Sequence, residues 1–485
     1  MRLSAPDGSL LRLRYLRHIE HADGNWTWIG RLPGADNEDA ILTFGEHAVY
    51  GSIPQGGGLP SLRVTMSRGR TLITATDLQL AAKFGNGIKR PTKPDYFLPP
   101  AAVVQVARDA AVQADGVQIA QDAQNEKAVT TVDIAAGYTP GFRDSPGIGG
   151  DSQARTRLQF LIDVGNLAMT NSQVSVQLRL VSAMLVNYPD ATDNGDALEK
   201  LTGFRAPSTQ TTPAAEFSAL RASRDQYGAD LVTLVRRFRT PENSGCGIAW
   251  IIGGGQSNIG NGSDFFGYSV VSDGSDIDEG DGKNYFCRDE TLVHELGHNM
   301  GAQHDVATAR GDDGVLDADE YGRFPYSFGY KTTAATGNFY TVMAYGDSGQ
   351  IVHRIFSNPR VSTCGPSPGA LPCGVTDQAD NARGLGQTAP LIAAFRATVV
   401  APPGGFPTVR NDIDADGRSD LLWSRQSPGQ FVAWRMNGAT LAGTRSYATS
   451  TTFKAIGSGD LDGNGYVDIV WIDTATGDVY TWLGQ

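Results

Sequence analysis

The 485-residue chain has no apolar run of the roughly eighteen residues that a membrane-crossing helix needs. Met1 to Asp7 carries no long apolar core, so no secretory signal is expected from this start. On that ground the chain is either cytosolic or its natural start lies upstream. Cationic residues are short: 40 Lys and Arg face 52 Asp and Glu, a formal charge of -12. Phosphate backbones are held by basic patches, so nucleic acid is excluded as a main partner. Histidine is rare, with 7 in the chain, and cysteine rarer, with 4, none of them before Cys246. Glycine and proline, at 59 and 24, are not scarce. They speak for many turns and β structure rather than a helical bundle.

Length over a typical domain of ~150 residues suggests about three units. Residues 1–100 alternate apolar and polar positions between glycine turns, as in Trp26 to Gly30, Ala40 to Phe44 and Thr71 to Thr74, and predict an antiparallel β unit. Residues 101–127 are rich in Ala, Gln and Val with few large side chains; they read as a protease-accessible tether, or else as a short helix. From 128 to 398 strands and helices alternate. Val129 to Ile134, Val174 to Leu180, Ala229 to Val235 and Gly247 to Ile252 predict strands. Arg155 to Leu167 predicts a helix, with Leu158, Leu161, Ile162 and Val164 at helical spacing, and a further helix is expected near Ala389 to Phe395. The pattern is that of an α/β layer fold. Residues 399–410, with Pro402, Pro403, Gly404 and Gly405, read as a linker.

Residues 411–485 repeat themselves. Asp412, Asp414, Asp416, Gly417 and Asp420 recur at Asp460, Asp462, Asn464, Gly465 and Asp468, an offset of 48. Such a period belongs to repeat architectures such as propeller blades. Closely spaced hard oxygen ligands suit Ca²⁺, and the glycine permits the sharp turn between them. Solvated acidic turns without metal are the plainer alternative. The same plain reading applies to the acidic stretches Ser272 to Gly282 and Asp312 to Glu320, taken as solvated loops, with calcium sites as the alternative.

The sharpest signal is His294-Glu295-Leu296-Gly297-His298, followed by Gly301, His304 and Asp305. Two histidines four apart on a helix share one face, one turn apart. Neutral imidazole suits Zn²⁺, and Gly301 can take the left-handed conformation that ends the helix and brings His304 round as third ligand. Three nitrogens leave a fourth position open, which is the catalytic pattern. Glu295, beside the first histidine, is placed to accept a proton from a metal-activated water.

In these residues the chain resembles the metzincin metallopeptidases, and Asp305 after the third histidine resembles the reprolysin (adamalysin-like) branch, in its bacterial form. The likeness runs over roughly residues 128–397. It implies an α/β (α+β) catalytic domain with a twisted mixed sheet and a zinc-binding helix, acting on protein or peptide substrates. It implies a turn at Met343 forming a hydrophobic floor under the histidines. Tyr345 matches a form of that turn in which the tyrosine is an extra zinc ligand or oxyanion stabiliser; a packed aromatic is the alternative. Some relatives of this kind are described as peptidyl-Asp endopeptidases. Residues 1–100 resemble a reprolysin-type pro-region, which in many relatives silences zinc through a cysteine thiolate. No cysteine here can do so, and inhibition would need steric blockade or another ligand; a β adhesion or folding module that stays attached is the alternative. The repeats resemble FG-GAP/VCBS units of calcium-binding propellers. Fewer than two units are present, a partial β-propeller-like tail suited to attachment at an extracellular surface or matrix.

Four cysteines permit three pairings. Cys246–Cys287 and Cys364–Cys373 are the expected ones, the first tying the sheet edge to the segment before the zinc helix and the second closing a short Pro/Gly loop. Reduced structural cysteines are the alternative. Disulfides, calcium loops and a protease hazardous inside a cell favour export. The leading expectation is therefore a secreted zinc metalloendopeptidase made as a zymogen. The rivals are a narrow peptidyl-Asp-type enzyme and a catalytically silent adhesion protein working through its repeats. Retention of Glu295 speaks against the silent reading.

Overall fold

A computed structural model describes residues 1–33, 39–55, 60–75, 94–100, 129–311, 313–347, 349–366, 371–400, 411, 413–414, 419–437, 440–459, 461 and 466–484. The tether expected at 101–127 and nearly all of the linker expected at 399–410 lie outside these residues. The chain divides into two compact units, one built from Met1–Ile19 and Asp23–Val399, the other from Glu20–Ala22 and Val400–Gln485.

The first unit begins with a short hairpin of β1 (Arg2–Ser4) and β2 (Leu10–Arg12). A six-stranded sheet follows in sequential order: β3 (Arg14–Glu20), β4 (Trp26–Arg31), β5 (Ala40–Phe44), β6 (Val49–Ile53), β7 (Leu62–Ser67) and β8 (Arg70–Thr74). The pairs from β4 to β8 are antiparallel. Alternation explains the sheet: along β7 every second residue is buried, so one face turns inward.

The second sheet is mixed, in the order β11-β10-β12-β14-β13-β9. Its strands are β9 (Tyr96–Phe97), β10 (Thr130–Tyr138), β11 (Val176–Leu185), β12 (Leu231–Arg237), β13 (Gly247–Trp250) and β14 (Tyr268–Asp273). The first four in that order are parallel; β13 pairs antiparallel with β14, and β9 runs parallel to β13. Leu231, Val232, Leu234 and Val235 are fully buried, as in a parallel strand covered on both faces. Helix α1 (Asp151–Asn171), longer than its apolar stripe suggested, and α2 (Asn194–Thr202) and α3 (Ser218–Tyr227) accompany this sheet. Asp193 caps α2 by accepting from Gly195 N at 2.7 Å.

The N-terminal sheet is not detached from this layer. Ile29, Ile41, Tyr50 and Met66 belong to the same buried core as Val132, Leu158 and Leu161. Helix α4 (Thr291–Asn299), β15 (Gln303–Asp305) and β16 (Phe328–Gly329) carry the chain through the motif region. The helix expected near Ala389 to Phe395 instead spans Asn381–Ile392, α5. The Asp380 carboxylate starts it by accepting from Arg383 N at 3.0 Å, a polar cap that an apolar pattern does not register. No helix among the described residues is long and apolar enough to cross a membrane.

The second unit holds two antiparallel three-stranded sheets. One contains β17 (Leu421–Arg425), β18 (Gln430–Asn437) and β19 (Thr440–Ala448); the other β20 (Phe453–Gly459), β21 (Asp468–Asp473) and β22 (Val479–Trp482). They share a core of Phe431, Ala433, Val467, Ile469 and Trp471. A propeller blade has four strands, and among the described residues each repeat shows three.

Candidate metal centre

Helix α4 is buried from Leu292 to Asn299, with Leu292, Val293 and Leu296 in the core. His294 and His298 leave it on one side, their ring centroids 4.9 Å apart. The helix stops as expected: Gly301 has φ +84°, and a Cβ there would meet Arg323 Cβ at 2.8 Å. The reversal returns the chain through β15, paired in parallel with β16, and sets His304 against the other two. His304 Nε2 lies 3.2 Å from His294 Nε2 and 3.1 Å from His298 Nε2.

The outer nitrogens decide the tautomers. His294 Nδ1 sits 2.9 Å from the Val342 carbonyl and His298 Nδ1 2.9 Å from the Ala302 carbonyl. A carbonyl only accepts, so each Nδ1 carries the proton and each Nε2 turns a bare lone pair inward. Burial pushes both imidazoles below their ordinary pKa, which keeps them neutral. A cation among the three Nε2 atoms would satisfy the lone pairs of His294 and His298 together. The donor set therefore fits a metal ion, and borderline-soft imidazole nitrogen fits zinc.

A fourth group joins them that the motif did not include. Asp95, just before β9, is buried, with Oδ1 2.9 Å from His304 Nε2 and Oδ2 3.6 Å from His294 Nε2. The four ligand atoms lie within 4.8 Å of one another, the only such grouping among the described residues. The Asp95 carboxyl is held well below its ordinary value against its burial, with His304 the first of the groups that lower it.

Glu295 points from α4 toward β13 and is 1% exposed. Burial, with the Asp95 charge adding to it, raises its carboxyl well above the usual range. Gly247 makes room for it: a Cβ there would lie 2.3 Å from Glu295 Oε1. Met343 is fully buried beneath the helix, where a Cβ on Gly297 would meet its Sδ at 2.6 Å. Asp305 ties the third histidine to this turn. Its carboxylate caps Val306–Ala309 through Thr308 N at 3.1 Å and accepts from Tyr345 N at 3.1 Å. The Tyr345 ring stands 4.9 Å from that of His304, and its hydroxyl donates to Asp95 Oδ2. Burial, then Asp95, raises the phenol well above its ordinary pKa.

Both expected disulfides are present, Cys246–Cys287 with Cα atoms 5.5 Å apart and Cys364–Cys373 at 5.3 Å. Of the acidic repeat residues, Asp412, Asp416, Asp460, Asp462 and Asn464 lie outside the described residues. Asp420 and Asp468 are buried and serve the fold in the same way. Asp420 accepts from Ile413 N at 3.0 Å and Met436 N at 2.8 Å; Asp468 accepts from Leu461 N at 2.5 Å and Gly484 N at 2.6 Å. Asp414 faces Arg435 Nη1 at 3.3 Å. Sequence reasoning missed Asp95, which no local spacing links to the histidines, and Gly247, whose need for a missing side chain appears only once Glu295 is placed.

Two peptidyl-Asp metalloendopeptidases are similar in sequence. That of Pseudomonas aeruginosa is 33% identical over 346 residues, 68% of this chain and 51% of that protein. That of Stenotrophomonas maltophilia is 28% identical over 250 residues, 51% of this chain and 49% of the relative. The chain spans about half the length of these relatives. Metalloproteinase-II from Bacteroides fragilis superposes with a TM-score of 0.34 at 13% identity, covering 64% of this chain and 80% of that one. Residues 412–471 match the FG-GAP-like repeat. Residues 128–374, just over half the chain, match the reprolysin-like metallopeptidases of family M12B and hold all three inward-facing histidines, and the chain belongs to that family.

Proposed function

We propose that the protein is a secreted zinc metalloendopeptidase, synthesised as a proenzyme, in which His294, His298 and His304 hold the metal. The observation that carries this reading is the convergence of three imidazole Nε2 atoms, with buried Glu295 next to His294 on the same helix. Zinc in such a site lowers the pKa of a bound water and polarises a substrate carbonyl. Glu295 has Oε2 buried without a hydrogen-bond partner among the described residues, and is free to accept the water proton and hand it to the leaving amine. The Tyr345 hydroxyl lies on the same side and can donate to the oxyanion of the tetrahedral substrate. A peptide would lie as an added strand along β13, where β9 now lies. Two disulfides support an oxidising destination. The repeats would attach the enzyme to an extracellular surface or matrix, with Ca²⁺ at their acidic loops.

The names of the relatives favour a second reading within the same chemistry, cleavage directed by aspartate in the substrate. One experiment addresses both. The purified chain, nicked by limited proteolysis, is incubated with unfolded casein with and without a zinc chelator, beside Glu295→Gln. Cleavage is expected only in the untreated protein, with Glu295→Gln slower by roughly 100-fold or more; mass spectrometry of the products separates broad from Asp-directed cutting. Casein left intact while one zinc is bound per chain would favour the silent adhesion protein.

A further inference from the structure

The histidines account for three of the four clustered ligand atoms; the fourth comes from the N-terminal part of the chain. We propose that Asp95 is itself a metal ligand, and that β9 with this carboxylate forms the latch that keeps the peptidase latent. The inference rests on the zinc-peptidase reading above.

The chemistry of the group supports it. Asp95 is 5% exposed, and its Oδ1, although 2.9 Å from His304 Nε2, makes no well-aligned hydrogen bond among the described residues. A buried carboxylate so placed is costly unless a positive charge compensates it. His304 Nε2 is the nearest imidazole nitrogen, 2.9 Å from Oδ1, while His294 and His298, farther off, turn lone pairs toward the site rather than protons. A cation held by the three imidazoles would satisfy this oxygen and those lone pairs together. Three nitrogens and a carboxylate oxygen complete a four-ligand set, the closed arrangement that leaves no position for a reacting water.

The backbone holds the carboxylate there. β9 runs as an extra strand on the edge of β13, Ala249 N donating to Asp95 O at 3.3 Å and Ile251 N to Phe97 O at 2.8 Å. The Phe97 ring packs 5.2 Å from Trp250, and the Tyr96 ring covers His298 and His304 at 5.7 Å from each. Tyr345 donates to the other Asp95 oxygen. One short strand thereby takes the sheet edge, the open ligand position and the oxyanion donor, three things a substrate needs. With no cysteine before Cys246, a carboxylate fills the role a thiolate would have.

The test uses the full, uncut chain loaded with Co²⁺, whose visible absorption reports its ligands, and azide as a small anionic probe. The wild-type spectrum is expected not to respond to azide, because the fourth position is filled. Asp95→Asn should shift the spectrum, make it azide-responsive, and speed loss of the metal to a chelator roughly 10-fold or more. The uncut variant should also begin to cleave casein. An azide-responsive spectrum in the uncut wild type would overturn the latch without any variant having to fold. So would wild-type-like absorption and metal release in Asp95→Asn. Failure of the wild type to take up cobalt would overturn the metal reading itself, a distinct outcome.

Discussion

Gly247 and Tyr345 bracket the chemistry at the scale of single residues. Any side chain at 247 would strike Glu295, since a Cβ comes within 2.8 Å of its Cγ as well as its carboxylate. Tyr345 is fixed from both ends, its N–H on Asp305 and its hydroxyl on Asp95. If β9 leaves on activation, as proposed, that hydroxyl would be released from Asp95 and could donate to a substrate oxyanion. In the activated enzyme, Tyr345→Phe is therefore expected to lower kcat by about 100-fold with KM little changed. Steady-state kinetics on a defined peptide check this; an unchanged kcat would leave Tyr345 a packing residue. The histidines, Glu295, Gly301 and Met343 were legible because helix spacing and a turn bring them together within one short stretch of chain. Asp95 was not. Its approach depends on a strand added to the far edge of a sheet, and nothing in its neighbours along the chain marks it.

Between elements, the approach to α4 is held by charge. Arg157 of α1 reaches Asp273 at the end of β14 at 2.7 Å and Asp289, just before α4, also at 2.7 Å. Arg63 of β7 meets Asp289 from the other sheet at 2.9 Å, and Arg354 pairs with Glu290 at 2.8 Å. Burial would raise the Asp289 carboxyl, but Arg63 and Arg157 outweigh it and hold it far below the ordinary range. A carboxyl with a depressed folded pKa stabilises above its unfolded value, and that stabilisation is lost as pH falls below it. Asp289→Asn should cost on the order of 3–5 kcal/mol at neutral pH by leaving the buried Arg157 short of a partner. The gap to wild type should narrow as pH drops below about 4. Urea unfolding at several pH values measures this, and a gap that did not narrow would remove Asp289 from the account. Strands such as Ala40–Phe44 and the α1 stripe were readable from periodicity. This network was not, because its members come from five separate stretches of the chain. Asp273, expected in a solvated loop, is buried instead by its pairing with Arg157.

At the scale of the whole molecule, the N-terminal sheet is built into the buried core of the first unit. Ile29, Ile41, Tyr50 and Met66 complete the core cluster that contains Leu158 and Leu161 of α1, and Tyr50 also donates to Gly147 O at 2.9 Å. Its β character was legible from alternation, and the repeat tail from its period of 48; the burial of that sheet against α1 had no sequence signature. Uncovering large apolar side chains costs about 1.5–3 kcal/mol each. A chain synthesised without residues 1–100 is accordingly expected to give less soluble protein and to unfold roughly 10 °C lower in the transition of the first unit. Calorimetry should be run in excess chelator, so that losing Asp95 as a ligand contributes nothing. A midpoint equal to that of the full chain would show that the sheet only covers the site. A lowered one would make the same segment both the inhibitor and a scaffold on which the peptidase domain folds.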